Sequence, residues 1–352
     1  LNARALTALR GIAAWWVVAF HFREAVPVDP HGPVMHVLAR GYLAVDLFFV
    51  LSGYVIGLNY ASWFSGGAGL YGRFLALRLS RIYPLHAVML LMFLIKPAAI
   101  MLSGGALEDA RWGYYGLSFL LVQDWGITQG LAWNVPAWSI SAEWLAYLLF
   151  PLLAIGAGYA ARGALRALAL ALALLLTLGV VSAAFSPSGL SWSAQWFSLV
   201  RCLSEFSAGM CLYHLEAGRL RQRWEAGAGL AVAAACACGF ILLPMPDYAL
   251  MPLCFTALIF ALADERGWLA RLLRWAPLQW LGLVSYSTYM VHYLLKDWVK
   301  FVLVRPGVPP GAAFVCYVVV VCAASGVLYE IIERPGQAVL RRALNRKAEL
   351  AK

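Results

Sequence analysis

Charge is what this chain has least of. Asp, Glu, Lys and Arg together make up 12% of its 352 residues, where soluble domains run near a quarter. That excludes an ordinary water-soluble fold. Low-complexity and strongly charged blocks are missing as well, so no second soluble domain is predicted. No internal repeat is visible, which removes the support that a transporter built from two similar halves would have. The seven cysteines, Cys202, Cys211, Cys236, Cys238, Cys254, Cys316 and Cys322, all lie in apolar stretches. None has a His or carboxylate partner at ligand spacing, so they read as small core residues rather than a disulfide framework or a metal site. Of the two charge signs the acidic is the scarcer, 17 residues against 27 basic ones, for a net charge of +10. In a membrane chain that excess belongs to cytoplasmic loops and does not imply nucleic acid.

What the chain does have is apolar length: 63% hydrophobic residues and a mean hydropathy of +0.75. Apolar windows give ten spans, at about 5–23, 41–60, 82–103, 137–159, 164–185, 195–216, 227–245, 248–264, 277–296 and 311–333. The first should be retained as a transmembrane helix, because Arg10 interrupts it and no small-residue cleavage site follows. Tyr114–Gln123 is an eleventh candidate, too short to cross and followed by polar, Trp-rich sequence. With ten spans and the N-terminus inside, eighteen Lys and Arg fall on inner segments and seven on outer ones. Counting Tyr114–Gln123 as a crossing would turn most of these cations outward, against the positive-inside rule. The expectation is an all-α polytopic bundle of about ten transmembrane helices with both termini cytoplasmic. Residues 104–136 form one long outer segment, residues 1–333 the membrane domain and residues 334–352 a short basic cytoplasmic tail.

Ionisable residues inside such spans are costly and are functional-site candidates by default. The first span carries two, Arg10 and His21. Eleven residues at 3.6 per turn bring both onto one face, about 16 Å apart. The topology puts Arg10 in the inner half and His21 at the outer end. Asp46, Glu143 and His292 fall at the same outer depth, so a carboxylate, Glu143 or Asp46, could orient a His21 general base. The alternative for His21 is an interfacial histidine facing headgroups. Arg78 and Arg81, three residues apart on an inner segment, suit phosphate oxygens, or else anchor the chain to anionic lipid. Arg201 and Glu205, one turn apart, read as a buried ion pair of structural role, and Asp46 could equally partner a cation such as Arg40 or Arg201. Ser52, Gly53 and Tyr54, with Ser139 and Ser141, are small or polar groups that let helices or a ligand approach closely. Trp112, Trp125, Trp133 and Trp138, with Asp124 and Asn134, suit sugar rings, although an interfacial aromatic belt predicts the same residues.

Taken in order, LRGIAAWWVVAFHF, GYLAVDLFFVLSGYVIG, Arg78-x-x-Arg81 before IYPLH, WSISAEWLAYLLFP and YSTYMVHYLL resemble the membrane-bound acyltransferase family 3. The resemblance covers essentially the whole chain. It implies an integral protein of the bacterial inner membrane that moves an acyl group, usually acetyl, from acetyl-CoA to a hydroxyl, with no metal. Acceptors in the family are mostly surface glycans such as O-antigen and exopolysaccharide, and some members acylate macrolides or other small molecules. The resemblance makes Arg10 and His21 the family's Arg-x10-His element and Arg78 and Arg81 its Arg-x-x-Arg motif. Ser52–Gly53–Tyr54 and Trp138–Glu143 match two further motifs. The expected site is therefore catalytic His21, Glu143 and Asp46, with Arg10, Arg78, Arg81, Ser52 and Gly53 toward the donor. A covalent acyl-His21 intermediate is a variant of the same chemistry. Expected partners are a glycan or lipid-linked saccharide acceptor and membrane lipids. Some members carry a C-terminal esterase-like domain; with only a short tail here, the expectation is that the chain works alone or with a separate periplasmic partner.

Overall fold

In the computed structural model every regular element among the described residues is helical. Those residues are all except 1–2, 61–68, 106–110, 161, 187–188, 191–194, 218–225, 244, 266, 304–306 and 351–352. The inner-loop cations Arg219, Arg221, Arg223 and Arg266, the outer Arg305 and the tail's Lys352 therefore lie outside the described residues. Among the described residues six segments are long and apolar enough to cross a bilayer: Arg4–Ala25, Pro33–Tyr60, Leu70–Leu102, Val135–Gly158, Leu165–Phe185 and Pro310–Leu344.

The helices run α1 (Arg4–Phe22), α2 (Pro33–Leu38), α3 (Ala44–Tyr60), α4 (Gly69–Phe93), α5 (Ile95–Leu102) and α6 (Trp112–Phe119). They continue as α7 (Trp138–Ala160), α8 (Ala164–Phe185), α9 (Gln195–Ala217), α10 (Ala226–Leu242), α11 (Asp247–Ala263) and α12 (Gly267–Leu273). The last are α13 (Ala276–Leu283), α14 (Ser285–Leu303), α15 (Pro310–Leu328) and α16 (Arg334–Leu350). Most apolar windows become single helices, with three differences. The third begins at Gly69 rather than near residue 82, so Arg78 and Arg81 are helical, and it is two helices, α4 and α5, parted at Leu94. The intervening RFLALRLSRI is rich in Arg, Leu and Ala and has no breaker; Pro84 is accommodated inside the helix. The ninth window, 277–296, is two helices parted at Val284. The tenth ends in a π turn, Tyr329–Glu333, that leads directly into α16, so the predicted tail is itself helical. Tyr114–Gln123 yields only the eight residues of α6, about 12 Å of helix, in line with its being too short to cross.

The chain divides into two compact units. The first holds residues 1–13, 42–71 and 142–283; the second holds 14–41, 72–141 and 284–352. In the first unit α9 packs against α3, α8 and α11, and α10 packs on α11. The α3–α9 crossing is a contact of backbones. A Cβ on Gly53 would stand 1.8 Å from the Phe206 carbonyl oxygen, and one on Gly209 would stand 2.0 Å from the Val50 carbonyl oxygen. Only glycine permits that approach. Gly53, expected to admit either a helix or a ligand, admits a helix here. All seven cysteines are unpaired, and six of them are at least partly buried.

In the second unit α14 packs against α15, and α15 against the turn at Arg23–Ala25. The core between them is Val18, Phe22, Ala25, Val299, Tyr317 and Val321. Phe22 stacks on Tyr317 with centroids 4.1 Å apart. This contact fixes the last turn of α1, and with it His21.

Candidate active site

His21 lies in that last turn and is partly exposed. Its Nδ1 is 3.1 Å from the Val17 carbonyl oxygen and 3.1 Å from Nε2 of His292. His292, on α14, is fully buried. Its Nδ1 donates to the Tyr289 carbonyl at 2.7 Å, and its own carbonyl accepts from the Tyr317 hydroxyl at 3.1 Å. Tyr293 meets the His21 ring edge-on with centroids 5.3 Å apart, and the Lys296 ammonium sits 3.4 Å from the Tyr293 centroid. The neighbour of the His21 imidazole is thus a second imidazole, where a carboxylate was expected. Depth alone had placed His292 at this level; nothing in the sequence assigned it to His21.

Asp46 and Glu143 are engaged elsewhere, within the first unit. Across the glycine-lined α3–α9 crossing, Asp46 faces Arg201, which grips both carboxylate oxygens through Nε and Nη2, the latter at 2.6 Å. Arg201 also donates to the Leu190 carbonyl at 2.9 Å. Of the two cations offered for Asp46, Arg201 is the one that holds it, and Glu205 lies close enough to act on the same guanidinium electrostatically. Glu205 is fully buried on the same helix, with neither carboxyl oxygen in a hydrogen bond among the described residues. Asp46 approaches the guanidinium side-on from the facing helix and so takes the two-pronged geometry. Glu143, half-buried on α7, accepts the Ser52 hydroxyl and, at 2.6 Å, the Tyr147 hydroxyl on the same oxygen. The structure thus brings together two of the expected residues, Ser52 and Glu143, which the sequence had assigned to different roles. Arg10 donates through Nη2 to the Gly282 carbonyl at 2.8 Å, at the C-terminal end of α13, where a cation complements the helix dipole.

Arg81, in the second unit, forms an ion pair through Nη1 with Glu333 and lies over the Tyr286 ring at 5.6 Å. The Glu333 side chain is fully buried while that of Arg81 is a quarter exposed. The π turn Tyr329–Glu333 carries this carboxylate; such turns are frequent at functional sites. Its other oxygen accepts the Ser287 hydroxyl at 2.7 Å. Glu333 was not anticipated, although an acid inside the apolar IIERP run was a signal that could have found it. Nε and Nη2 of Arg81 have no hydrogen-bond partner among the described residues. That is a donor set that fits an anionic phosphate. Arg78 lies one turn earlier on α4, half-buried.

The aromatic segment between α6 and α7 turns inward more than expected. Asp124 and Asn134 are buried, and Asn134 donates to the Met290 carbonyl at 3.2 Å. Trp125 donates to the Ser141 carbonyl at 3.1 Å. Trp112, Tyr115 and Trp133 form a ring cluster with Tyr115 and Trp133 centroids 4.5 Å apart. Asp124 and Asn134 thus pack the segment rather than face a sugar.

Comparison with known proteins bears on this arrangement. A family model for an acyltransferase domain matches residues 4–330. The chain is similar to the acyltransferase MdmB of Streptomyces mycarofaciens, 28% identical over 96% of this chain and 92% of that protein. It is similar to the putative membrane-bound transacylase BcsY of Komagataeibacter xylinus, 27% identical over 95% of this chain and 82% of that protein. A third relative is the putative peptidoglycan O-acetyltransferase YrhL of Bacillus subtilis, 25% identical over 84% of this chain and half of that protein. No solved structure matches the chain.

Proposed function

The chain belongs to the acyltransferase family whose domain model it matches over residues 4–330, and within that family we propose that it moves an acetyl or other short acyl group from acyl-CoA to a carbohydrate hydroxyl. The acceptor in this reading is a surface glycan outside the cytoplasm, and the enzyme sits in the bacterial inner membrane. Membership of a transferase family sets aside the proton-coupled transporter reading. That one relative bears the name of a peptidoglycan O-acetyltransferase favours a glycan acceptor over a small molecule.

The observation that carries the reading is His21. Its Nδ1 is engaged, while Nε2 has no hydrogen-bond partner among the described residues and the ring is partly exposed. A neutral imidazole with one open nitrogen is what a general base needs. His21 Nε2 takes the proton of the acceptor hydroxyl as its oxygen bonds to the thioester carbonyl carbon. The C–S bond then breaks, and His21 returns the proton to the departing thiolate. Acyl-CoA supplies the activated thioester. The open donors of Arg81, with Arg78, hold phosphate oxygens at the cytoplasmic mouth.

The test is transfer of labelled acetyl from acetyl-CoA to ester-linked glycan in membranes containing the chain. His21→Ala should abolish it while the protein remains membrane-inserted. Wild-type transfer by that variant would overturn the role of His21. Label appearing on a small molecule instead of a glycan would redirect the acceptor.

A further inference from the structure

We propose that His292 is the positioning residue of the site: it fixes the tautomer and orientation of His21, in the place where a carboxylate would stand in a triad. The inference rests on the general-base reading of His21. It follows from counting protons on two rings. A carbonyl oxygen only accepts, so the 2.7 Å contact of His292 Nδ1 with the Tyr289 carbonyl requires a proton on that nitrogen. A neutral His292 then presents a lone pair at Nε2. The atom facing that lone pair at 3.1 Å is His21 Nδ1, which must be the donor. The Val17 carbonyl, 3.1 Å from the same Nδ1, makes the same demand. Two independent carbonyls thus agree on one proton arrangement. It leaves a single lone pair uncommitted, that of His21 Nε2.

Val17 alone is a weak lock. It belongs to the same helix as His21, and its carbonyl already accepts the backbone N–H four residues on. His292 supplies an acceptor from another helix, which sets the ring plane as well as the tautomer. A doubly protonated His292 would put a charge in a fully buried position with no carboxylate among its described contacts. When His21 gains a proton at Nε2, its Nδ1–H bond to a neutral acceptor becomes charge-assisted and strengthens. His292 therefore favours the protonated state that forms during transfer.

His292 is itself held. The Tyr289 hydroxyl donates to the Pro136 carbonyl at 2.9 Å and lies 2.8 Å from the Ser139 hydroxyl. Asn134 donates to the Met290 carbonyl at 3.2 Å. These bonds pin the turn of α14 whose Tyr289 carbonyl dictates the His292 tautomer. The segment 134–139, which sequence reasoning offered to sugars, acts as the strut of the imidazole pair.

The test compares His292→Leu with His292→Gln, since glutamine offers an oxygen that can accept from His21 Nδ1 and leucine offers none. With acetyl-CoA as donor, His292→Leu should lower kcat roughly a hundredfold, within the range a positioned general base contributes, and move the donor KM little. His292→Gln should recover at least about a tenth of the wild-type rate. Equal loss in both variants, or an unchanged kcat in His292→Leu, overturns the proposal. Neither result touches the parent reading, which stands or falls on His21→Ala. A measurement that does not depend on the variants' folding is the 15N spectrum of histidine-labelled protein, with His21 assigned by difference. A proton on Nδ1 is expected, and a proton on Nε2 of the neutral ring overturns the proposal.

Discussion

The two units use their buried polar groups in opposite ways. In the first, Asp46 and Arg201 are an ion pair that closes on itself: both carboxylate oxygens are taken, and the guanidinium is 1% exposed. In the second, His21 and His292 form a pair of rings in which one nitrogen stays open, and Arg81 keeps open donors beside a buried partner. Both pairs lie within or at the end of apolar helices, where burying polar groups is costly. The difference is saturation. A closed pair can only hold helices together, whereas a pair with one vacancy can bind or move a proton. Substitution should therefore separate them: changes in the first unit should appear as lost stability, changes in the second as lost turnover.

The largest effect is expected at Arg201. Arg201→Met leaves Asp46 buried without its partner, beside a second buried carboxyl, Glu205, that the same guanidinium attracts. Breaking a buried pair from one side costs about 3–5 kcal/mol, a large share of a marginal stability. The variant should lose most of its folded yield in detergent, and its Tm should fall by many degrees. Asp46→Asn keeps a hydrogen-bonding side chain at the crossing and should be milder. An Arg201→Met protein that melts with the wild type would show that the closed pair is not holding α3 to α9.

How much of this could be read beforehand differs between the helices and the site. Apolar length marks spans well: the window 164–185 is α8 to the residue at both ends. It marks them less well where charge continues a helix. The arginines before residue 82 lower hydropathy but do not stop the backbone, so α4 starts at Gly69. Chemistry-bearing residues stood out because each is an expensive group in an apolar run. Their pairings did not. Arg201 finds Asp46 across 155 positions, and His292 finds His21 across 271. One turn of helix suggests Glu205 for Arg201, and sequence alone leaves Asp46 open to Arg40 or Arg201; tertiary packing decides for Arg201. Of the glycines that permit the crossing, Gly53 stands out in the sequence as a small residue and Gly209 does not, and nothing in either stretch says which backbone it faces.

The open region is sharpened next by Arg81 and Glu333. Arg81→Ala leaves a buried carboxylate uncompensated, so on its own it confounds stability with donor binding. Arg81 is partly exposed, which discounts the pair to about 1–3 kcal/mol. Adding Glu333→Gln removes the stranded charge and should return the Tm close to wild type. If Arg81 also serves the donor, the double variant should still show a raised KM for acyl-CoA. A double variant with both Tm and donor KM restored would place Arg81 with the closed, structural pairs and leave the phosphate role to other cations.

The smallest effect is expected at the Ser52–Glu143–Tyr147 group, which lies in the first unit but is not fully sealed. Glu143 is half-buried, and both hydroxyls converge on Oε1; Oε2 has no hydrogen-bond partner among the described residues and, unlike a buried orphan, keeps solvent access. By the saturation argument this carboxylate belongs to the open class despite its location. Interhelical hydrogen bonds in membranes average about 0.6 kcal/mol, so Ser52→Ala and Tyr147→Phe should each shift the Tm by only a degree or two. Their effect on turnover decides the comparison. If Glu143 carries a proton or a substrate hydroxyl, as the sequence motif implied, Tyr147→Phe lowers kcat more than its stability loss explains. If turnover follows stability alone, the first unit is structural throughout, and the chemistry resides with the imidazole pair of the second.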